Sequence, residues 1–315
     1  MSVLTLTLNP ALDLTVSLAR LTAGQVNVAQ SGHLGPAGKG INVARVLSEL
    51  GHRPVVSGFL GRDNESAFCT LFEQHGMQDE FIRVAGNTRI NVKVSEQDGR
   101  ITDINLPGLS PHPADVARLQ STLTALSGRC QYLIVAGSLP AGVSPGWLEQ
   151  LLTQWRQQGK DVWLDTSGEA LKTGVQALPG LIKPNLDELA QLAGRRIQNE
   201  QALISCARQL QQSGIKDVVV SAGADGVYWF GSEGDWRGRV PAVNIVSTVG
   251  AGDSLVAGLC AGRLEGLKAP DNLRRAMALS LMAVTQIGVG IYCNDTFAGF
   301  QQAIQITPFD HGSRT

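Results

Sequence analysis

The sequence has almost no excess charge. Its 26 lysines and arginines nearly cancel 27 aspartates and glutamates, for a net charge of −1. No field is available to gather nucleic acid or an anionic membrane surface, so any phosphate must be held by a few local groups. Long apolar runs are also missing. Nothing approaches the length of a membrane-spanning helix, and the N-terminus lacks the basic-then-apolar pattern of a secretion signal. The expectation is a protein of the cytoplasm. Cysteine is sparse and scattered: Cys69, Cys130, Cys206, Cys260 and Cys293 have no C-x-x-C spacing and support neither a disulfide framework nor a zinc cage, which leaves reduced, mostly buried thiols. No internal repeat, low-complexity tract or linker divides the 315 residues, and 43% apolar content is ample for a core in one large α/β domain or two small ones.

What is present in quantity is glycine, grouped at turns. The central stretch is Ser247-Thr248-Val249-Gly250-Ala251-Gly252-Asp253-Ser254. An apolar run over 243–249 reads as a strand end, and Leu255, Val256, Leu259, Cys260 and Leu264 then recur with helical spacing, so the stretch is expected to be a strand-to-helix turn. Gly250 and Gly252 allow a tight bend and leave amides unshielded, and the first helical turn adds the positive end of its dipole, a combination that binds phosphate. Asp253 on that same turn has two readings. It caps the helix, or its carboxylate takes a proton from a hydroxyl about to attack phosphorus.

Taken in order, a strand over 3–8 ends at Asn9-Pro10, with Asp13 just beyond. Asp13 lies either at a ligand cleft or in a self-bonded turn. The text over 12–35 is strand-like and polar, like an appended sheet. Gly35-Pro36-Ala37-Gly38-Lys39-Gly40-Ile41-Asn42 then opens a helix that Gly51 stops. It is not a P-loop, because His33 and Gly40 stand where that motif needs glycine and Ser/Thr. Glycines around a lysine admit a small polar ligand, with Asn42 offering donors and acceptors to hydroxyls; a plain helix start with a solvated Lys39 competes with this. A strand over 55–58 and a helix over 66–76 follow.

Residues 87–106 read as a hairpin turning at Asp98-Gly99. Arg89, Asn91 and Lys93 share one face while Ile90, Val92 and Val94 share the other. The basic face suits an anion-holding lid, or simply water. From Tyr132 onward short buried runs alternate with helical segments: strands over 132–136, 162–164, 181–182 and 218–221 end in Gly137-Ser138-Leu139-Pro140, Asp165, Lys183-Pro184-Asn185 and Ala222-Gly223-Ala224-Asp225-Gly226. That is a parallel sheet covered by helices, with its polar groups along one edge. An antiparallel return over 227–230, a helix over 271–287 and a short terminal helix complete the chain.

Asn9-Pro10 with Asp13, Gly38-Lys39-Gly40-x-Asn42, Lys183-Pro184-Asn185 with Glu188, Ser221-x-Gly223-x-x-Gly226 and Thr248-Val249-Gly250-Ala251-Gly252-Asp253 stand in the order found in ribokinase-like sugar kinases, the phosphofructokinase B branch, which the chain resembles over nearly its whole length. Within the branch, Asn9-Pro10-Ala11, the 37–42 turn, Thr88-Arg89-Ile90-Asn91-Val92-Lys93 and Ser138-Leu139-Pro140 look most like bacterial 1-phosphofructokinases; tagatose-6-phosphate kinases and the minor 6-phosphofructokinase share much of this. The resemblance implies a single ribokinase-like α/β three-layer sandwich over 1–315, with a mostly parallel sheet flanked by helices. It implies a small β lid from roughly 9–36 and 86–106, often buried against a second subunit in a homodimer.

It also implies roles. Asp253 is the base, and the Gly250, Ala251 and Gly252 amides form the anion hole for the γ-phosphoryl group of ATP. Asp13, Asn42 and the Gly38 backbone hold sugar hydroxyls, while Lys39, Arg89 and Ser138 take the phosphate already on the sugar, with Lys93 as a further candidate. Lys183 and Asn185 lie near the ATP phosphates, Ser221, Gly223 and Gly226 pass beside the nucleotide, and Glu188 orients a water-ligated Mg²⁺; a monovalent cation is a further candidate. The implied reaction is ATP- and Mg²⁺-dependent phosphorylation of C6 of fructose 1-phosphate. Two other classes fit less of the sequence. A dinucleotide-dependent oxidoreductase would need glycine where Leu255 stands, and an inactive sugar-phosphate sensor would be expected to lose Asp253.

Overall fold

Alternate residues of the buried strands pack into two different cores, and this makes the molecule three layers thick. In a computed structural model that describes residues 2–286, 288–291 and 293–309, Leu4, Leu6, Leu133, Val135, Val162, Leu164, Val218 and Val220 enter one cluster. Val3, Tyr132, Ile134, Trp163 and Val219 enter the other. A strand buried on both faces reads as a continuous apolar run rather than an alternation, as seen in Val218 to Val220. Helices Pro113–Ser127, Pro145–Gln157 and Glu200–Gln212 cover the first face; Lys39–Glu49, Ala251–Leu264 and Ala269–Val284 cover the second. Each fully buried Leu, Val or Phe contributes about 1.5–3 kcal/mol, so these two faces supply most of the driving force.

The main sheet has eleven strands. Its spatial order is Gln305–Pro308, Gly234–Arg239, Val227–Gly231, Asp217–Ser221, Leu181–Ile182, Asp161–Asp165, Cys130–Ala136, Ser2–Thr7, Val55–Gly61 and Gln78–Asp79, with Ile82–Val84 also paired to Val55–Gly61. From Asp217–Ser221 to Gln78–Asp79 the pairing is parallel. The polar groups at the C-terminal strand ends therefore collect along one edge. The return over Val227–Gly231 is antiparallel, as its sequence suggests, and Gly234–Arg239 and Gln305–Pro308 continue it. These last two strands are not evident in the sequence: one carries glycines at both Gly234 and Gly238, and the other is only four residues long.

A second sheet of four strands, in the order Ser31–Ala37, Ala11–Leu18, Ile90–Glu96 and Ile101–Ile104, stands apart from the first. Register gives it two unlike faces. Asp13 lies beside Asn91, and Thr15 lies between His33 and Lys93, while Leu14 is flanked by Leu34 and Val92 and Val92 by Ile104. Leu34 is 49% and Ile104 51% exposed, so the apolar face is uncovered in the single chain.

Two expectations are corrected. No strand forms over 243–249: the chain from 240 to 250 is irregular, because Pro241 follows the last ladder residue, Arg239, and cannot donate to a ladder. Val246 and Ser247 instead donate their amides to the Val284 carbonyl at 2.8 and 3.2 Å, so the glycine turn is a loop-to-helix turn. The late helix spans Ala269–Val284 rather than 271–287, and Ile287 lies outside the described residues. The cysteines are separate thiols, three of them buried, Cys69 half-buried and Cys293 exposed. No described helix is long and apolar enough to cross a membrane.

Candidate active site

Two helices begin at the C-terminal edge of the main sheet, both at glycines. Lys39–Glu49 starts after Gly38, and Ala251–Leu264 after Gly250. The latter needs glycine twice over: Gly250 has φ +79°, and a Cβ there would lie 2.1 Å from Val289 Cγ1. Asn42 and Asp253 occupy the first turns of the two helices, and Asn42 Nδ2 donates to Asp253 Oδ2 at 2.8 Å. Asp253 is thus not a simple helix cap, since no side chain caps this helix. It is 5% exposed and held from across the cleft.

Below them sits a residue to which the sequence gives no role. Asp165, at the end of Asp161–Asp165, is 2% exposed and lies 3.3 Å from both Lys39 Nζ and Lys183 Nζ. Parallel register sets Leu164 beside Ile182 and so brings Lys183 next to Asp165. Burial alone would raise the Asp165 carboxyl, but Lys183 and then Lys39 outweigh it and hold it below the usual carboxylate range. Lys39 is raised in turn, chiefly by Asp165 against the opposing effect of burial, and also by Asp253 and Glu188. The signal in the sequence was a strand ending in Asp; that this Asp meets two lysines 126 and 18 positions away is a property of the sheet order. A Cβ on Gly252 would stand 3.2 Å from Lys183 Nζ, so this ammonium lies against the amide-bearing first turn. A fixed cation beside first-turn helix amides is an arrangement able to hold an anion.

The pKa of Asp253 is pushed up to about 6, first by burial and then by Asp165, against the opposing effects of Lys39, Asn42 and Lys183. A carboxylate so tuned accepts a proton near neutral pH. Activity that depends on the ionised form should therefore fall about tenfold per pH unit below pH 6 and be level above it. A pH profile of kcat/KM between pH 4.5 and 8 checks this.

On the outer side, a cavity of about 260 Å³ separates the small sheet from the body, lined among others by Asp13, Asn42, Arg45, Lys93 and Val289. Asp13 receives Asn91 Nδ2 at 3.2 Å and faces Lys93 Nζ at 3.5 Å, which in turn lies 3.3 Å from Asp103. Lys93 is therefore held between two carboxylates. Arg89 donates to three backbone carbonyls, Pro10 at 3.3 Å, Asn9 at 3.1 Å and Leu106 at 3.2 Å. Ser138 Oγ accepts from Asn9 Nδ2 at 3.0 Å. Gly38, with φ +143°, lets the chain pass Thr7, whose Cγ2 would be 2.8 Å from a Cβ.

Further along the edge, Asn185 and Glu188 cap helix Leu186–Ala193 reciprocally: Asn185 N–H donates to Glu188 Oε2 at 2.9 Å and Glu188 N–H to Asn185 Oδ1 at 2.8 Å. Asn185 also bridges to Ser221. Gly223 is exposed with φ +58°, and Gly226, with φ +91°, leaves room for the Gly238 carbonyl, 1.9 Å from a Cβ there. The structure thus brings together Asp253, Gly250, Ala251, Gly252, Asn42, Lys39 and Lys183 around Asp165. Asp13, Arg89 and Ser138 lie toward the small sheet, Glu188 stands near enough to act on Lys39, and Asn185, Ser221, Gly223 and Gly226 continue along the edge on that side.

The chain matches the pfkB family carbohydrate kinase over residues 6–296. It is 48% identical to a 1-phosphofructokinase of Vibrio cholerae serotype O1 over 310 residues, covering 97% of this chain and 96% of that one. It is 42% identical to the 1-phosphofructokinase of Escherichia coli K12 over 308 residues, covering 98% and 99%. Among solved structures, phosphofructokinase-2 of Escherichia coli in complex with substrates and products superposes with a TM-score of 0.90 at 27% identity, covering 96% and 99%.

Proposed function

Because this chain belongs to the pfkB family of carbohydrate kinases, we propose that it transfers the γ-phosphoryl group of ATP to C6 of fructose 1-phosphate, giving fructose 1,6-bisphosphate and ADP. The observation that carries the acceptor is near-full-length identity of 48% and 42% to proteins named 1-phosphofructokinase. The observation that carries the chemistry is Asp253, buried at the start of a helix with its pKa lifted to about 6.

In this reading the C6 hydroxyl gives its proton to Asp253 as its oxygen bonds to the γ-phosphorus. The β–γ bridging bond breaks in line, and ADP leaves with that electron pair. With Oδ2 held by Asn42, we assign the proton to Oδ1. The amides of Gly250, Ala251 and Gly252, with Lys183, receive the charge spreading over the equatorial oxygens, and being fixed they need no reorganisation. Asp13, Asn42 and the Gly38 backbone hold the sugar hydroxyls. Arg89, Ser138 and Lys39 are assigned to the phosphate on C1, with Lys39 shared with Asp165. Asn185, Ser221, Gly223 and Gly226 flank the nucleotide.

The residues present fit Mg²⁺. Glu188 offers hard carboxylate oxygen, and Asp165 Oδ2, buried without a hydrogen-bond partner, is the orphaned acceptor a hydrated cation would satisfy. When bound, Mg²⁺ supplies charge neutralisation at the ATP phosphates. We assign it to Glu188 and Asp165 through water, and leave a monovalent cation as a further candidate.

The small sheet serves in this reading as the lid of a single domain, keeping water from the γ-phosphate. Its apolar face, with Leu34 and Ile104 half exposed, is assigned to a homodimer in the cytoplasm. The test is ADP release with ATP and Mg²⁺ on fructose 1-phosphate, fructose 6-phosphate, tagatose 6-phosphate and no sugar. A clear kcat/KM preference for fructose 1-phosphate is expected. Preference for a 6-phosphate sugar keeps the mechanism and changes the substrate; ATP binding without turnover would return the sensor reading.

A further inference from the structure

The small sheet is joined to the body at four crossings, residues 8–10, 38, 85–89 and 105–112, which separate its strands from their neighbours in the chain. Arg89 lies in the third and is bonded to two of the others. Its Nε and Nη2 donate to the Pro10 and Asn9 carbonyls, and its Nη1 to the Leu106 carbonyl. Its own carbonyl accepts from Leu12 N–H at 2.8 Å. The same junction is tied to the body from the other side: the Asn9 amide donates to Ser138 Oγ, just past the body strand Cys130–Ala136. It also presses on Gly108, where a Cβ would fall 1.9 Å from Asn9 Oδ1 and 2.8 Å from Asn9 Cγ.

From this geometry we infer that Arg89 is a positioning residue that fastens the crossings and so sets the small sheet at a fixed posture over Asn42 and Asp253 before any ligand arrives. A guanidinium carries five N–H donors in one plane. Three are spent on carbonyls of two separate segments, leaving two for an anion, so a phosphate held there is located with respect to the hinges. Lysine keeps the charge but presents its donors from one atom, and cannot reach three carbonyls served by three different nitrogens. The kinetic part of this inference rests on the proposed kinase reading; the mechanical part does not.

The test joins amide hydrogen exchange of the ligand-free protein to kinetics, on Arg89→Lys and on Gly108→Ala. The second variant keeps every cation and displaces the Asn9 amide instead. Each is expected to speed exchange in Ile90–Glu96 and Ile101–Ile104 about tenfold or more, with Cys130–Ala136 and Asp161–Asp165 unchanged. Each should also lower kcat on fructose 1-phosphate about tenfold and raise the share of ATP lost to water, since closure over the γ-phosphate becomes looser. Wild-type exchange in both variants, with Arg89→Lys raising only KM and Gly108→Ala kinetically silent, would make Arg89 a phosphate ligand alone and overturn the inference. If the wild-type protein does not phosphorylate fructose 1-phosphate, the kinase reading fails and exchange by itself still decides the clamp. Should Arg89→Lys not fold, Arg89→Gln, whose single amide nitrogen cannot serve three carbonyls, carries the same two exchange outcomes, while Gly108→Ala reads only the tie from Asn9 to Ser138.

Discussion

Asp253→Asn is expected to lower kcat by about 10³-fold or more while leaving KM for ATP and sugar phosphate nearly unchanged. The substitution keeps shape and one hydrogen bond, since an amide oxygen can still accept from Asn42 Nδ2 as Asp253 Oδ2 does at 2.8 Å. What it removes is the proton acceptor. The same change should stabilise the fold. The folded pKa of Asp253, about 6, lies above the ordinary 3.8, so the protonated group's contribution is complete below pH 3.8 and lost as pH rises through 6. At pH 8 the native protein carries the full cost of a buried carboxylate, and Asn relieves about 1–3 kcal/mol of it. A slower but more heat-stable variant is what a residue kept for chemistry gives. Steady-state kinetics and calorimetry on one preparation check both halves; a variant with wild-type kcat would contradict the role assigned to Asp253.

Asp165→Ala should produce the largest loss of stability, about 3–5 kcal/mol. It leaves the Lys183 ammonium, 5% exposed, without the carboxylate 3.3 Å away, an uncompensated charge in a largely desolvated place. Lys39, whose side chain is 41% exposed, loses less because solvent screens it. Relief of repulsion between Asp165 and Asp253 offsets part of the loss. That relief has its own signature: with Asp165 gone, Asp253 loses its second cause of elevation, and the acid limb of the pH profile should move below pH 6. Calorimetry reads the first effect and the pH profile the second. An unchanged melting temperature would mean that the Lys39–Asp165–Lys183 cluster is not the support described.

The sequence made most of the fold legible because the strands are apolar on both faces and end in polar residues. Val218 to Val220 followed by Ser221 is such a strand, and the parallel sheet with its polar edge follows from repeating it. Asp253 and Asn42 stood out in the sequence in glycine turns that also had a plain helix-start reading, and Lys183 through the family resemblance; the structure brings all three to one edge of the sheet. Asp165 was not legible, because its meaning lies in two lysines that only the strand order brings near. Nor was the engagement of Arg89, because backbone carbonyls leave no trace in the sequence. The irregular run over 243–249 misled for a physical reason: an apolar run resembles a strand whether or not a partner exists, and here the ladder stops at Arg239 before Pro241.

Transfer of the γ-phosphoryl group to C6 of fructose 1-phosphate is tested most directly by the phosphorus NMR spectrum of the product formed with ATP and Mg²⁺. For the wild-type chain a second phosphomonoester resonance is expected on the sugar, one equivalent per ADP released. ADP with inorganic phosphate and no fructose 1,6-bisphosphate, or faster product formation from a 6-phosphate sugar, would contradict it.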